Sequence, residues 1–178
     1  HSDSNIGVDA GQYRVMLMRV PNYSDVNIAG QLTGNHFNGS KYGVIAFRVS
    51  GLLSGSGVIS ASSLGYSGGG GTSDNAEGPG RGRVGATGWQ CADGTKLNGG
   101  GAGYGTAGSG SSGGGAPGGI YGRLDLMRIF MGSGGGGSGR ETDTGGDCGG
   151  GGAGGGIILL NAKTINFAGM IVSDGGGS

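Results

Sequence analysis

The sequence predicts an all-β fold, a short parallel β-helix of about three coils interrupted by a large glycine-rich insertion, and three observations lead there. First, VNIAGQLTG (26–34), LSGSGVISA (53–61) and INFAGMIVS (165–173) align without a gap, so that Gly30, Gly57 and Gly169 each stand two residues before a bulky aliphatic residue, namely Leu32, Ile59 and Ile171. Second, another apolar run lies upstream of each copy: RVMLMRV (14–20), VIAFRV (44–49) and IILLNA (157–162). Third, the first two copies are offset by 27 residues, since Val26 aligns with Leu53. That offset lies in the range of solenoid repeats, where one turn cannot bury its own apolar face but stacked turns share a continuous core.

Taken in order, 1–12 is polar and is expected to be an N-terminal arm. The segment 13–65 is expected to form coils one and two. In its first run, 13–20, Val15 and Leu17 fall on one face and Met16, Met18 and Val20 on the other. A strand apolar on both faces asks for partners on both. Pro21 is expected to end that strand, because proline cannot donate to a ladder, and 22–25 to turn. In VIAFRV, Ile45, Phe47 and Val49 share one face while Arg48 points the other way, the period-2 signature of a half-buried strand. The third coil, 157–178, copies this: Ile158, Leu160 and Ala162 take the inner face, and Asn161 stands where Arg48 stood.

Between coils two and three lies 66–156, with glycine blocks at 68–71, 99–105, 113–119, 134–139 and 145–156 and a strand expected near 124–131. The chain holds 52 glycines in 178 residues, against a usual share of about 7%. Glycine has the most backbone entropy to lose on ordering, so this abundance implies either disorder or packing that requires the missing side chain. The absence of a Gly-X-Y period excludes a collagen triple helix. Compact apolar runs such as IILL and VIAF argue against plain disorder. Extended glycine segments of polyproline II geometry have no internal hydrogen bonds, and their backbone groups need partners elsewhere. The insertion is therefore expected to be a bundle of polyglycine II-like segments. Its expected pins are Cys91 with Cys148, and Trp89, Tyr104, Tyr121 and Phe130.

The two cysteines are read either as unpaired thiols or as a disulfide. The disulfide is favoured in a glycine-rich chain of an oxidising compartment, where it would remove denatured-state entropy worth about 4 kcal/mol. The sequons at Asn22 and Asn38 make both candidate glycosylation sites and agree with export. The chain opens on His1 with no initiator Met and no signal-like stretch, as expected of a mature or trimmed product.

The stretch IYGRLDLMRIFMGSGGGGSG (120–139), followed by GGAGGGIILLNAKTINFAGMIVSDGGG (151–177), resembles a recurring arrangement in secreted glycine-rich bacterial proteins. In these a strand ends in GSGGGG, a glycine tract follows, and a second strand and a G-x-I bend lead back into glycine. The resemblance covers roughly 43–178 and implies export and a β-solenoid with glycine inserts. In the glycine blocks alone the chain is also similar to the polyglycine-sandwich tail-tip adhesins of T-even-like phages, which present receptor-binding loops.

No motif names a reaction, and neither an enzymatic activity nor a cofactor is expected. Gly65-Tyr-Ser67-Gly-Gly69 matches the G-x-S-x-G nucleophile elbow, but a triad in that fold needs a downstream histidine, and His1 and His36 both lie upstream. The G-x-G-x-x-G matches lack the context of a dinucleotide fold. Glu141, Asp143 and Asp147 offer oxygen ligands of the calcium type, but without the glycine-aspartate nonapeptide repeat they read as solvated acids, and no metal is assigned. The formal net charge is zero with charges scattered singly, which argues against nucleic acid as a partner. No apolar run approaches the roughly 18 residues of a membrane span. Tyr66, Trp89, Tyr104 and Tyr121 are candidate glycan contacts among serine and glycine.

What remains is assembly. Solenoids need polar caps, and neither terminal unit has one. An exposed strand edge invites another chain, and a head-to-tail contact that does not close builds a filament. The expected function is a secreted, extracellular or cell-surface subunit that polymerises with itself. Its interface residues would be Val15, Met16, Leu17, Met18 and Val20 at one end and Phe167, Met170 and Ile171 at the other. The alternative is an adhesin whose glycine loops meet a cell-surface glycan.

Overall fold

Aliphatic residues alternating with small or polar ones favour extended backbone. In the computed structural model, which describes residues 18–70, 76–85, 99–111, 114–122, 125, 129–138 and 149–177, such runs give seven strands and, among the described residues, no helix. The strands are β1 (Asn22–Tyr23), β2 (Val26–Ile28), β3 (Gln31–Leu32), β4 (Val44–Gly55), β5 (Val58–Ser60), β6 (Ile157–Phe167) and β7 (Met170–Val172). Every pairing is parallel. One open sheet has β4 between β1 and β2 on one side and β6 on the other, and a second has β5 between β3 and β7. The strands thus fall in three rows: β1–β3, then β4 and β5, then β6 and β7.

The register is the alignment visible in the sequence. Val26 lies opposite Leu53 and Leu53 opposite Ile165, while Arg48 faces Asn161. The aligned glycines have a steric reason. A Cβ on Gly57 would overlap the Gly30 carbonyl, and one on Gly169 the Gly57 carbonyl, whereas a Cβ on Gly30 would meet nothing. Glycine is needed where a row lies against the row before it.

The first row begins differently from expectation. Residues 18–20 are not in a strand, and among the described residues strand pairing starts after Pro21, with Asn22 opposite Arg48. Proline lacks a donor but keeps its acceptor, and the Pro21 carbonyl takes the Arg48 N–H at 2.9 Å. Proline here opens a strand instead of closing one. The expected turn narrows to Ser24 and Asp25. There the ladder is irregular between Val49 and Leu52. The Asp25 carboxylate accepts from the Leu52 N–H at 2.7 Å, and the Ser24 carbonyl from Gly51 N–H at 2.7 Å.

The core follows from period two. Ile45, Phe47 and Val49 are buried with Ile28, Leu53, Ile59 and Leu64, and Arg48 is exposed on the opposite face. Ile158, Leu160 and Ala162 pack against this cluster from the third row.

The glycine segments are joined by backbone hydrogen bonds that step by three residues. Gly132, Gly135 and Ser138 donate to Gly155, Gly152 and Gly149, so these two segments run antiparallel. Between the donors to that neighbour, Gly134 donates to Glu77 and Gly136 to Gly100, which belong to two other segments. Tyr66 and Gly69 donate to Gly132 and Gly135, a fourth neighbour. Residues 124 and 126–128 of the strand expected near 124–131 lie outside the described residues, and 129–131 are not in a strand.

Aromatic rings close the side of this layer. Tyr121 stacks edge-on against Tyr104 (5.0 Å) and Phe130 (5.8 Å), and its hydroxyl donates to the Met131 carbonyl at 2.7 Å. Burial pushes the Tyr121 phenol above its ordinary 10.0, outweighing the Ser133 hydrogen bonds that oppose it. Burial, helped by Glu77, raises Tyr66 in the same direction. The folded chain therefore holds both protons more tightly than the unfolded chain. This stability is fully present below the unfolded phenol value and is lost as pH rises through the raised ones. These two phenols are expected to leave the thermal midpoint unchanged below about pH 9.5 and to lower it as pH rises further. A Tyr66→Phe, Tyr121→Phe double variant should show a shallower alkaline decline in a differential scanning series.

Candidate functional site

The strongest candidate is the outer edge of the third row. In a parallel ladder the N–H and C=O of one residue face the same neighbouring strand, and those of the next residue face away. The Ile157 N–H donates to Gly43, so Ile158, Leu160 and Ala162 direct their backbone groups to the open side. Among the described strands none pairs with that side of β6 or β7. β6 runs for 11 residues, so the open edge is long.

Side chains report the same asymmetry. Within one stack, Leu53 is 0% exposed and Ile165 57%, and in the next, Ile59 is 0% and Ile171 49%. Val26 and Leu32, their first-row counterparts, are half-buried. The third row thus carries core-type residues with no row of described strands beyond it. Covering the exposed part of Ile165 and Ile171 is worth about 1 kcal/mol each.

Of the residues expected at this interface, Met170 and Ile171 are exposed and Phe167 is half-buried against the core. At the opposite end Met18 is exposed and Val20 half-buried, while Val15, Met16 and Leu17 lie outside the described residues. Ile165 and Leu159, both exposed on β6, were not among the expected interface residues. Ile165 was legible, being the third-row partner of Leu53.

The candidate glycan contacts divide. Tyr66 is half-buried and stacks edge-on with Phe37 at 5.2 Å. Exposed Tyr104 lines a cleft of about 530 Å³ with Thr106, Ile129 and Phe130, while Tyr121 packs behind it. Trp89 lies outside the described residues, as do Cys91 and Cys148 of the expected disulfide and the acidic trio Glu141, Asp143 and Asp147. Among the described residues no three His, Cys, Asp or Glu side chains are placed to hold a metal ion. Nor is there among them a helix long and apolar enough to cross a membrane. Asn38 turns its side-chain oxygen onto the N–H groups of Ser40 and Lys41, at 3.2 and 3.0 Å, and Asn22 is exposed in β1.

A polar line crosses the outer face of the larger sheet, where Asn22, Arg48 and Asn161 sit directly opposite one another on β1, β4 and β6. Sequence alone paired Arg48 with Asn161. The place of Asn22 in this line is not legible in the sequence, because the segment after Pro21 reads as a turn. Comparison of the chain with protein-family models, with curated proteins and with solved structures finds no match.

Proposed function

We propose that this chain is a secreted structural subunit that assembles head to tail, the third row of one copy receiving the first row of the next. The rows are then three coils of a short parallel β-helix, and stacking extends one core through successive copies. The glycine segments, bonded to several neighbours at steps of three, are a polyglycine II-like bundle alongside. The single observation that carries the proposal is the exposure step within one stack, from buried Leu53 to exposed Ile165, beside a β6 edge that no described strand pairs with. The contact is heterologous and does not close, so it yields a filament in the extracellular space or at the cell surface.

Negative-stain microscopy and light scattering of the full chain test this. Wild-type protein is expected to form uniform filaments that resist salt, because backbone pairing and apolar contact hold them rather than charge. Ile165→Glu with Ile171→Glu should leave dispersed subunits with unchanged circular dichroism, whereas Lys163→Glu should still polymerise. Dispersed wild-type particles at high concentration, or filaments from the double variant, would overturn the proposal and favour a receptor-binding role.

A further inference from the structure

We infer that the outer face of the larger sheet carries a binding site for an acidic saccharide, centred on Arg48. This site lies on the sheet face, and its argument does not use the assembly proposed above, although Val20 at its margin is also an expected interface residue. Asn22, Arg48 and Asn161 are in direct register on three neighbouring strands, and strands lie about 4.8 Å apart, so three polar heads are set in a row of fixed spacing. Two adjoining hollows, about 460 and 440 Å³, share these three residues. One continues to Val20 and Leu159, and the other to Ser24 and Ser50. Arg48 thus stands between an apolar and a hydroxyl-lined recess.

The electrostatics select an anion. Among the described residues none accepts from the Arg48 guanidinium or bonds the Asn161 amide. Lys163 follows Asn161 by two residues on the same strand and is exposed. Asp25, in the turn beside this face, has its carboxylate committed to the Leu52 N–H at 2.7 Å. A guanidinium on a rigid strand can fork an oxyanion with two parallel hydrogen bonds. The flanking amides both donate and accept, as ring hydroxyls require, and Leu159 with Val20 offers an apolar floor for the C–H face of a sugar. The shared ligand chemistry is therefore a sugar ring bearing a carboxylate or a sulfate.

The test is isothermal titration of the full chain, produced in a host that leaves Asn22 unmodified, at low ionic strength. Three probes of equal length are used: an oligouronate, a sulfated oligosaccharide and a neutral oligosaccharide. At least one acidic probe is expected to bind at least tenfold more tightly than the neutral one, and the stronger of the two identifies the oxyanion. Arg48→Gln should weaken that binding at least tenfold and Asn161→Ala several-fold, while Lys41→Gln, whose ammonium lies over the Tyr42 ring, should not change it. Repeating the titration on Ile165→Glu, Ile171→Glu subunits should give the same affinity, which keeps this result separate from assembly. Equal binding of all three probes, no binding of any, or an undiminished Arg48→Gln variant would each overturn the inference.

Discussion

Gly154→Ala is expected to destabilise the fold by roughly 3 kcal/mol, through overpacking and disturbed hydrogen bonds. Gly154 is buried, donates to the Tyr66 carbonyl at 2.9 Å and accepts from the Gly65 N–H at 2.8 Å. A Cβ there would overlap the carbonyl oxygen of Gly132, which is backbone and cannot swing aside as a flexible side chain would. The segment must move, and its bonds to two neighbours go with it. For a chain of this size that corresponds to a fall of about 10 °C in thermal midpoint. Gly119→Ala is the matched control. Gly119 is exposed and a Cβ there meets nothing within 4 Å, so alanine should be neutral or stabilising by about 0.5 kcal/mol through the unfolded chain. Equal effects of the two substitutions would mean that the glycine segments do not pack at backbone distance.

The second large effect is Leu53→Ala, expected to cost about 3 kcal/mol by lost transfer energy and an unfilled cavity. Leu53 lies between Val26 and Ile165 in the middle row, where neither neighbour can collapse inward without breaking its own ladder. Ile165→Ala removes a similar side chain from the same stack but an exposed one, and should cost an isolated subunit less than about 1 kcal/mol. Urea unfolding at a concentration where subunits stay dispersed, with the slope unchanged, separates the two. If copies stack as proposed, the two penalties should draw closer in assembled samples, because the proposed contact covers Ile165 as Leu53 is covered within one copy. An Ile165→Ala penalty as large as that of Leu53→Ala in the dispersed subunit would show that the third row is already capped.

The strands and their register were legible because repetition encodes them. The match of 26–34, 53–61 and 165–173 reappears as parallel pairing, and the aligned Gly57 and Gly169 mark where one row touches the next. β1 is not legible from Pro21, because the missing donor of proline reads as a strand end while its remaining acceptor starts a ladder, and the strand it introduces has only two residues. The polar line of Asn22, Arg48 and Asn161 was half hidden for the same reason. Without the first-row register, Asn22 looked like a turn residue.

The sequence by itself determined the element type and register of β2 to β7 and the inner faces of β4 and β6, since alternation and glycine spacing are local patterns that stacking repeats. It also required that the glycine tracts find partners, because a buried backbone group left unpaired is costly. Only the tertiary structure decided which tract lies beside which. Glycine has no side chain to name a partner, so Gly132 bonds Gly155 and Gly134 bonds Glu77 through chain geometry alone. The tertiary structure also decided which of two equivalent aliphatic residues is core and which is surface. Leu53 and Ile165 read alike in the sequence, and what divides them is that, among the described strands, one row has neighbours on both sides and the other on one side.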